Sequence, residues 1–272
     1  NLPHVLAGFQ GDGIDDVPEI HDFAATNGLT IDTLDIVKHM NADQATCGYG
    51  CSGNPYDAYW NFNPIGHGDI HELGHGLERG RFRYTGQVGH TSTNPYSYYS
   101  KSRFYADTGN SNDLGCQSLP YQTLFETVQA SQTSDDPAQY MRDAALTNWN
   151  YGAGINLQIM MGVQDLGLLD NGYHLLARQH IIERNFNRAI KNDDLWAEQK
   201  DGLGFGDFTR DAARNLTNND FNLLALSHAI DRDMTDYLER WGFELSGAAK
   251  ASVADKIDFP TDFYISGDRD HC

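Results

Sequence analysis

The sequence predicts an α+β fold in a single domain over residues 1–272, with a small loop-rich α/β part over 1–66 and a mainly helical part over 67–272. Three observations carry this. Residues 1–66 hold only short apolar runs such as His4–Phe9, broken by the turn signals GDG at 11–13, NG at 27–28, GYG at 48–50 and GNP at 53–55. Past residue 67, apolar residues recur at three- and four-residue spacing, often behind an Asp, Asn or Ser able to cap a helix. No repeat, low-complexity tract or Pro/Ser-rich linker divides the chain.

The helical spacing falls on Tyr121–Gln129, Pro137–Asn148, Ala153–Leu166, Tyr173–Asn187 and Asn222–Trp241, and these five helices supply enough apolar surface for a core. Leu157, Met160, Met161 and Leu168 form one apolar face, where the methionines act as core filler.

Composition excludes some partners. With 272 residues, 40% hydrophobic and 21% charged, the chain has ordinary globular proportions. It lacks the 18 or so uninterrupted apolar residues of a membrane span. Its 38 acidic against 19 basic residues leave a formal charge of −19, a field that repels nucleic acid and anionic membrane surfaces. Asp outnumbers Glu 30 to 8, which favours turns and helix caps over helix interiors.

The chain opens on Asn1, with no initiator Met and no basic and apolar leader, so a mature or excised segment is expected. Of the three pairings open to four cysteines, a Cys47–Cys51 loop with Cys116–Cys272 holding the C-terminus is preferred, which implies export. A zinc knuckle at CGYGC lacks a second Cys/His pair. The Asp-rich stretches 12–16 and 268–270 lack the spacing of a calcium loop.

The chemistry concentrates in residues 66–99. His71-Glu72-Leu73-Gly74-His75 spells H-E-x-x-H, and on a helix the two imidazoles at i and i+4 share one face, one turn apart, where a single metal ion can bind both. Glu72 then lies beside the water activated by the metal, placed to act as general base. Turn-rich Gly66-His67-Gly68 precedes the motif with Asp69 as the expected cap, and Ile70, Leu73 and Leu77 form its apolar backing.

A catalytic zinc needs three protein ligands and an open position. Three residues compete for the third place: Glu78, on the same helix face but hard to reconcile with tetrahedral geometry; Glu126, on a second predicted helix; and His90, near enough for a short loop to return it. The metzincin subclass is excluded, because Glu78 and Arg81 stand where its Gly and third His belong. His67 is expected beside the site or on the surface, and not as a ligand.

The run His71–His75, then Phe82-Arg83-Tyr84-Thr85-Gly86, then Asn94-Pro95-Tyr96-Ser97-Tyr98-Tyr99 resembles the enhancin-like metallopeptidases. That superfamily includes viral enhancins and bacterial mucin-degrading proteases, and the likeness is to its bacterial immunomodulating metalloprotease group. Downstream, Asp233–Ser246 resembles the family's helix ending in a Trp-Gly turn, so the likeness covers about residues 45–250. It implies a zincin-type catalytic domain with one zinc ion. The implied enzyme is a secreted or surface bacterial endopeptidase cleaving glycoproteins beside O-glycosylated Ser or Thr, with accessory domains in the full-length protein. Family members commonly place a Glu ligand before a Val-Thr-x-Asn run, and that position falls on His90. An all-His site is chemically sound for zinc and one charge less negative, which strengthens the Lewis acid.

Further contacts follow as expectations. Tyr96, Tyr98 and Tyr99 are candidate donors to the oxyanion. Arg83, within a basic island of Arg79, Arg81 and Arg83, and Tyr84 are candidate substrate contacts, the arginines toward a substrate carboxylate or sialylated glycan. Tyr84 and Trp60 are also possible sugar-stacking platforms, against core packing as the plainer fate of each. Two rival classes are an idle glycan-binding module retaining the fold and a metal hydrolase of non-peptide bonds. The intact Glu72 argues against the first, because a protein that only binds has no use for a base beside the metal.

Overall fold

The computed structural model describes residues 1–34, 65–77, 80–109 and 118–265. Its N-terminal part mixes short helices and strands. Helix α1 (Leu2–Leu6) and α2 (Pro18–Thr26) each carry a proline in the first turn, where its missing N–H costs no hydrogen bond. Strands β1 (Phe9–Gln10) and β2 (Asp32–Thr33) pair in parallel, Phe9 opposite Asp32.

Twelve more helical segments of at least five residues follow among the described residues. They are α3 (His67–Leu77), α4 (Asn94–Thr108), α5 (Tyr121–Ser131), α6 (Pro137–Met141) with a π-helical turn over Arg142–Leu146, α7 (Trp149–Asp165), α8 (His174–Ala189), α9 (Asp193–Leu203), α10 (Arg210–Arg214), α11 (Asn218–Ile230), α12 (Thr235–Arg240) and α13 (Gly247–Ala251). The expected division into a loop-rich α/β part and an almost wholly helical part is therefore the observed one.

Helix α8 is the centre of the larger core. Its Phe186 ring meets Phe205, Phe221 and Trp196 at centroid distances of 4.8, 5.1 and 5.6 Å. Arg184, also on α8, holds the small sheet: it donates to the carbonyls of Ala7 (2.6 Å) and Gly8, pairs with Asp32 at 2.8 Å and lies over the Phe9 ring. A second apolar cluster, with Ile70, Leu77, Tyr96, Tyr98, Leu157 and Met160, lies beneath α3 and α4.

Four elements differ from the sequence reading. The predicted Asn222–Trp241 helix is two helices, because Asp231 takes the left-handed conformation (φ 52°) and ends α11. Asp is among the few residues that tolerate that region, and the apolar periodicity runs through the break because both halves are buried. The predicted Pro137–Asn148 helix passes from α-helix to π-helix at Arg142. Helix α4 carries no apolar stripe to betray it, since Asn94 through Lys101 are buried on every side. Helix α9 buries little beyond Trp196 and Leu203, and its signature is local instead: an Asn192 cap accepting from Leu195 N at 2.8 Å, and Gly204 at φ 85° closing it.

Cys47, Cys51, Cys116 and Cys272, with the pairing expected of them, and Trp60, Glu78 and Arg79 lie outside the described residues. No described helix is long and apolar enough to cross a membrane.

Candidate metal centre

Helix α3 presents the H-E-x-x-H segment as its pattern requires. Ile70 and Leu77 are buried, and Asp69, expected as the cap, sits instead within the first turn, where a carboxylate complements the helix dipole. Gly74 makes the position tight. A Cβ there would fall 2.9 Å from the Tyr96 ring and 3.3 Å from the Thr93 Cβ, so α3 and α4 approach more closely than any side chain at 74 allows.

His90 reaches the same place from a 3₁₀ turn over Gly89–Thr91. That turn is packed by α7: a Cβ on Gly152 would lie 2.6 Å from the Thr91 methyl, and Asn156 Nδ2 donates to the Thr91 carbonyl at 3.2 Å. As a result His71 Nε2 lies 2.9 Å and His75 Nε2 3.4 Å from His90 Nδ1, and the three candidate donor atoms all fall within 4.8 Å of one another. Tetrahedral zinc with bonds of about 2.0–2.1 Å needs nitrogens about 3.3 Å apart. Burial, then the neighbouring His75, His90 and His67, push the His71 pKa down to about 3, so its imidazole is neutral with a lone pair for a metal. The cluster suits a zinc ion in donor type, number and spacing.

Glu72 lines the same open cleft of about 280 Å³, together with His67, His71, His90, Asn94 and Trp149. Of the two places open to His67, beside the site or on the surface, it takes the first: its Nε2 lies 2.7 Å from Asn94 Oδ1, and its ring meets Tyr98 edge-on. Among the described residues the sequence reading missed Thr93, buried against His71, and Asn94 and Trp149, which line this cleft. The signal for the first two was the Pro95 that marks the start of α4.

Other expected residues lie elsewhere. Glu126 is exposed on α5, accepts from Gln122 Nε2 at 2.9 Å and lies outside the histidine cluster, because the helix that carries it turns that face to solvent. Tyr96 and Tyr98 are wholly buried and Tyr99 nearly so. The Tyr96 hydroxyl is bonded to His180 Nε2 at 2.7 Å and that of Tyr99 to His174 Nε2 at 3.3 Å, so both of these hydroxyls are engaged within the core. Tyr84 is buried in the core, its ring stacked on Phe243 at 3.8 Å, and the same burial pushes its pKa up. Arg81 folds over the rings of Phe186 and Phe221. Arg83 is partly exposed, with its guanidinium beside Gly89, next to His90.

No protein-family model matches the chain. It is 30% identical over 280 residues to the immunomodulating metalloprotease of Pseudomonas aeruginosa, an alignment covering 92% of this chain and 28% of that protein. Among solved structures it resembles IMPa from Pseudomonas aeruginosa in complex with an O-glycopeptide, with a TM-score of 0.80 and 27% identity over 98% of this chain and 32% of that one. The IMPa metallopeptidase in complex with T-antigen gives 0.78 and 27% over 95% and 31%. The chain thus spans less than a third of each of these relatives.

Proposed function

The chain belongs with the enhancin-like zinc metallopeptidases, as a homologue of the immunomodulating metalloprotease, and from that premise we propose that it is the zinc-binding catalytic part of an endopeptidase acting on O-glycosylated proteins. The observation that carries the reading is the convergence of His71, His75 and His90 on one point of an open cleft that Glu72 also lines. His71, His75 and His90 would hold the ion. Bound zinc supplies Lewis acidity toward a carbonyl oxygen and a water.

The remaining steps belong to the chain's own residues. Glu72 takes the proton from the attacking water on a carboxylate oxygen and delivers it to the nitrogen of the departing amine, so one carboxylate serves as base and then acid. His67 and Asn94 form one wall of the cleft and Trp149 another, where substrate lies during transfer. Arg83 is the proposed contact for an anionic group on the substrate, such as a carboxylate or a sialylated glycan. The complexes of IMPa with T-antigen and with an O-glycopeptide support a glycosylated substrate, action outside a bacterial cell accords with it, and further domains would complete a full-length protein.

The test is metal analysis of the purified protein together with cleavage of an O-glycosylated mucin and of casein by wild type and Glu72→Gln. One zinc per chain, cleavage of mucin, and its loss in a variant that keeps the metal are expected. Absence of zinc, or unchanged cleavage in the variant, would overturn the reading, and a wild type that binds glycan without cleaving it would leave a binding module.

A further inference from the structure

The N-terminal turn of α4 carries two side chains that reach both arms of the metal centre. Thr93 Oγ1 lies 2.9 Å from His71 Nδ1, 3.3 Å from His71 Nε2 and 3.4 Å from the carbonyl oxygen of His90. Asn94 Nδ2 donates to that same His90 carbonyl at 2.6 Å, while Asn94 Oδ1 faces His67 Nε2 at 2.7 Å. Thr93 and Asn94 are buried.

The donor and acceptor roles follow from chemistry. The His90 carbonyl only accepts, so the Thr93 hydroxyl spends its one proton there and turns its lone pairs toward the nearer His71 nitrogen, Nδ1. Nδ1 then carries the proton of the neutral imidazole, which leaves the Nε2 lone pair facing His90 Nδ1 across the metal position. The Asn94 amide is fixed in the same way. Its NH₂ end is on the carbonyl of His90, so its oxygen accepts from His67 Nε2–H.

We propose that Thr93 and Asn94 are the positioning residues of this centre: one hydroxyl sets the His71 tautomer and, with the Asn94 amide, holds the backbone of His90 at ligand distance. The inference rests on the metalloprotease reading. It gives a role to two residues outside the histidine cluster, and accounts for why a ligand on an exposed turn keeps its place: its carbonyl accepts two side-chain hydrogen bonds from one helix end. Partners of this kind typically change metal affinity by about 10–100-fold.

Thr93→Val is the informative variant, because it keeps the shape that packs on Gly74 and removes only the hydroxyl. Zinc affinity is measured by competition with a chromophoric chelator, and the ligand field by the absorption of the cobalt-substituted protein. Thr93→Val, and Thr93→Ala should the valine variant not fold, are expected to bind zinc about 10–100-fold more weakly with an altered cobalt spectrum. Thr93→Ser is expected to bind like wild type, and Asn94→Ala to weaken binding in the same range. Wild-type affinity and an unchanged spectrum in the valine or alanine variant, even with a lowered Tm, would overturn the inference while leaving the metalloprotease reading intact. A wild-type protein that takes up no zinc would overturn both.

Discussion

Gly74 and Tyr96 are in closer contact than any other residue at position 74 would permit, with the ring 2.9 Å from where a Cβ would stand. The ligand-bearing helix α3 and its neighbour α4 are therefore spaced by an aromatic ring on one and a missing side chain on the other. Tyr96 cannot retreat, since its hydroxyl is bonded to the buried His180. Gly74→Ala is expected to force α3 away from α4 and to destabilise the fold by about 1–3 kcal/mol, as overpacked cores do. Urea unfolding checks the loss, and an unchanged midpoint would contradict the packing.

Tyr96→Phe separates a structural phenol from a catalytic one. Removing the hydroxyl leaves His180, wholly buried, without that 2.7 Å partner and is expected to cost about 1–3 kcal/mol of stability. Turnover per folded molecule is expected to stay near wild type, because the ring lies beneath the cleft. A fall in kcat of about 100-fold or more at a temperature where the variant is fully folded would restore Tyr96 to the chemistry.

The third ligand separates in the same manner. His90→Ala is expected to lose zinc and activity together, whereas Glu126→Gln, altered on an exposed helix face, is expected to keep both. Chelator competition and a mucin assay on the two variants decide it, and full zinc occupancy in His90→Ala would refute the assignment.

The site was legible in the sequence to the extent that its geometry is local. His71, Glu72 and His75 are read from spacing alone because one helical turn fixes them. His90 needed the comparison of its register with a family pattern, since the turn that carries it is set by Gly152 and Thr91, 61 positions apart in sequence. Glu126 was a sound candidate by helix pattern, but a pattern does not say which way an isolated acid faces. Thr93 and Asn94 stayed hidden because they depend on where α4 starts, and its first half, buried on every side, has no stripe. The same blindness merged α11 and α12, whose boundary is a single residue in the left-handed region.

Acid is expected to destabilise the metal-free protein well above the carboxylate range. His174 and His228 both have lowered pKa values, in each case through burial, only partly offset by Glu19 beside His174 and by the Gly202 carbonyl 2.8 Å from His228. The unfolded chain binds protons at these residues near pH 6.5 and the folded one resists, so stability is full above about 6.5 and falls as pH drops below it. Each such proton contributes a slope of about 1.4 kcal/mol per pH unit. Urea midpoints of chelator-treated protein between pH 7.5 and 5 are expected to decline, and His228→Gln, whose amide can still donate to Gly202, to decline less steeply. Parallel curves for the two proteins would show that His228 takes no part.

Arg83 gives the most direct reading of substrate charge. In a chain of net charge −19, its side chain makes no ion pair among the described residues, and its guanidinium lies beside Gly89, one residue from His90. A cation this close to a ligand histidine in an acidic protein offers a negatively charged substrate group attraction instead of repulsion. Hydrogen bonds to charged groups contribute about 1.5–3 kcal/mol, which corresponds to about 10–100-fold in kcat/KM. Arg83→Gln is therefore expected to lower kcat/KM by that factor on a sialylated glycopeptide, mainly through KM, and to leave the desialylated peptide nearly unchanged. The loss should shrink as ionic strength rises, because salt screens an exposed pair. Equal losses on the two peptides would mean that Arg83 only supports the His90 turn, and its Tm would then fall with its activity.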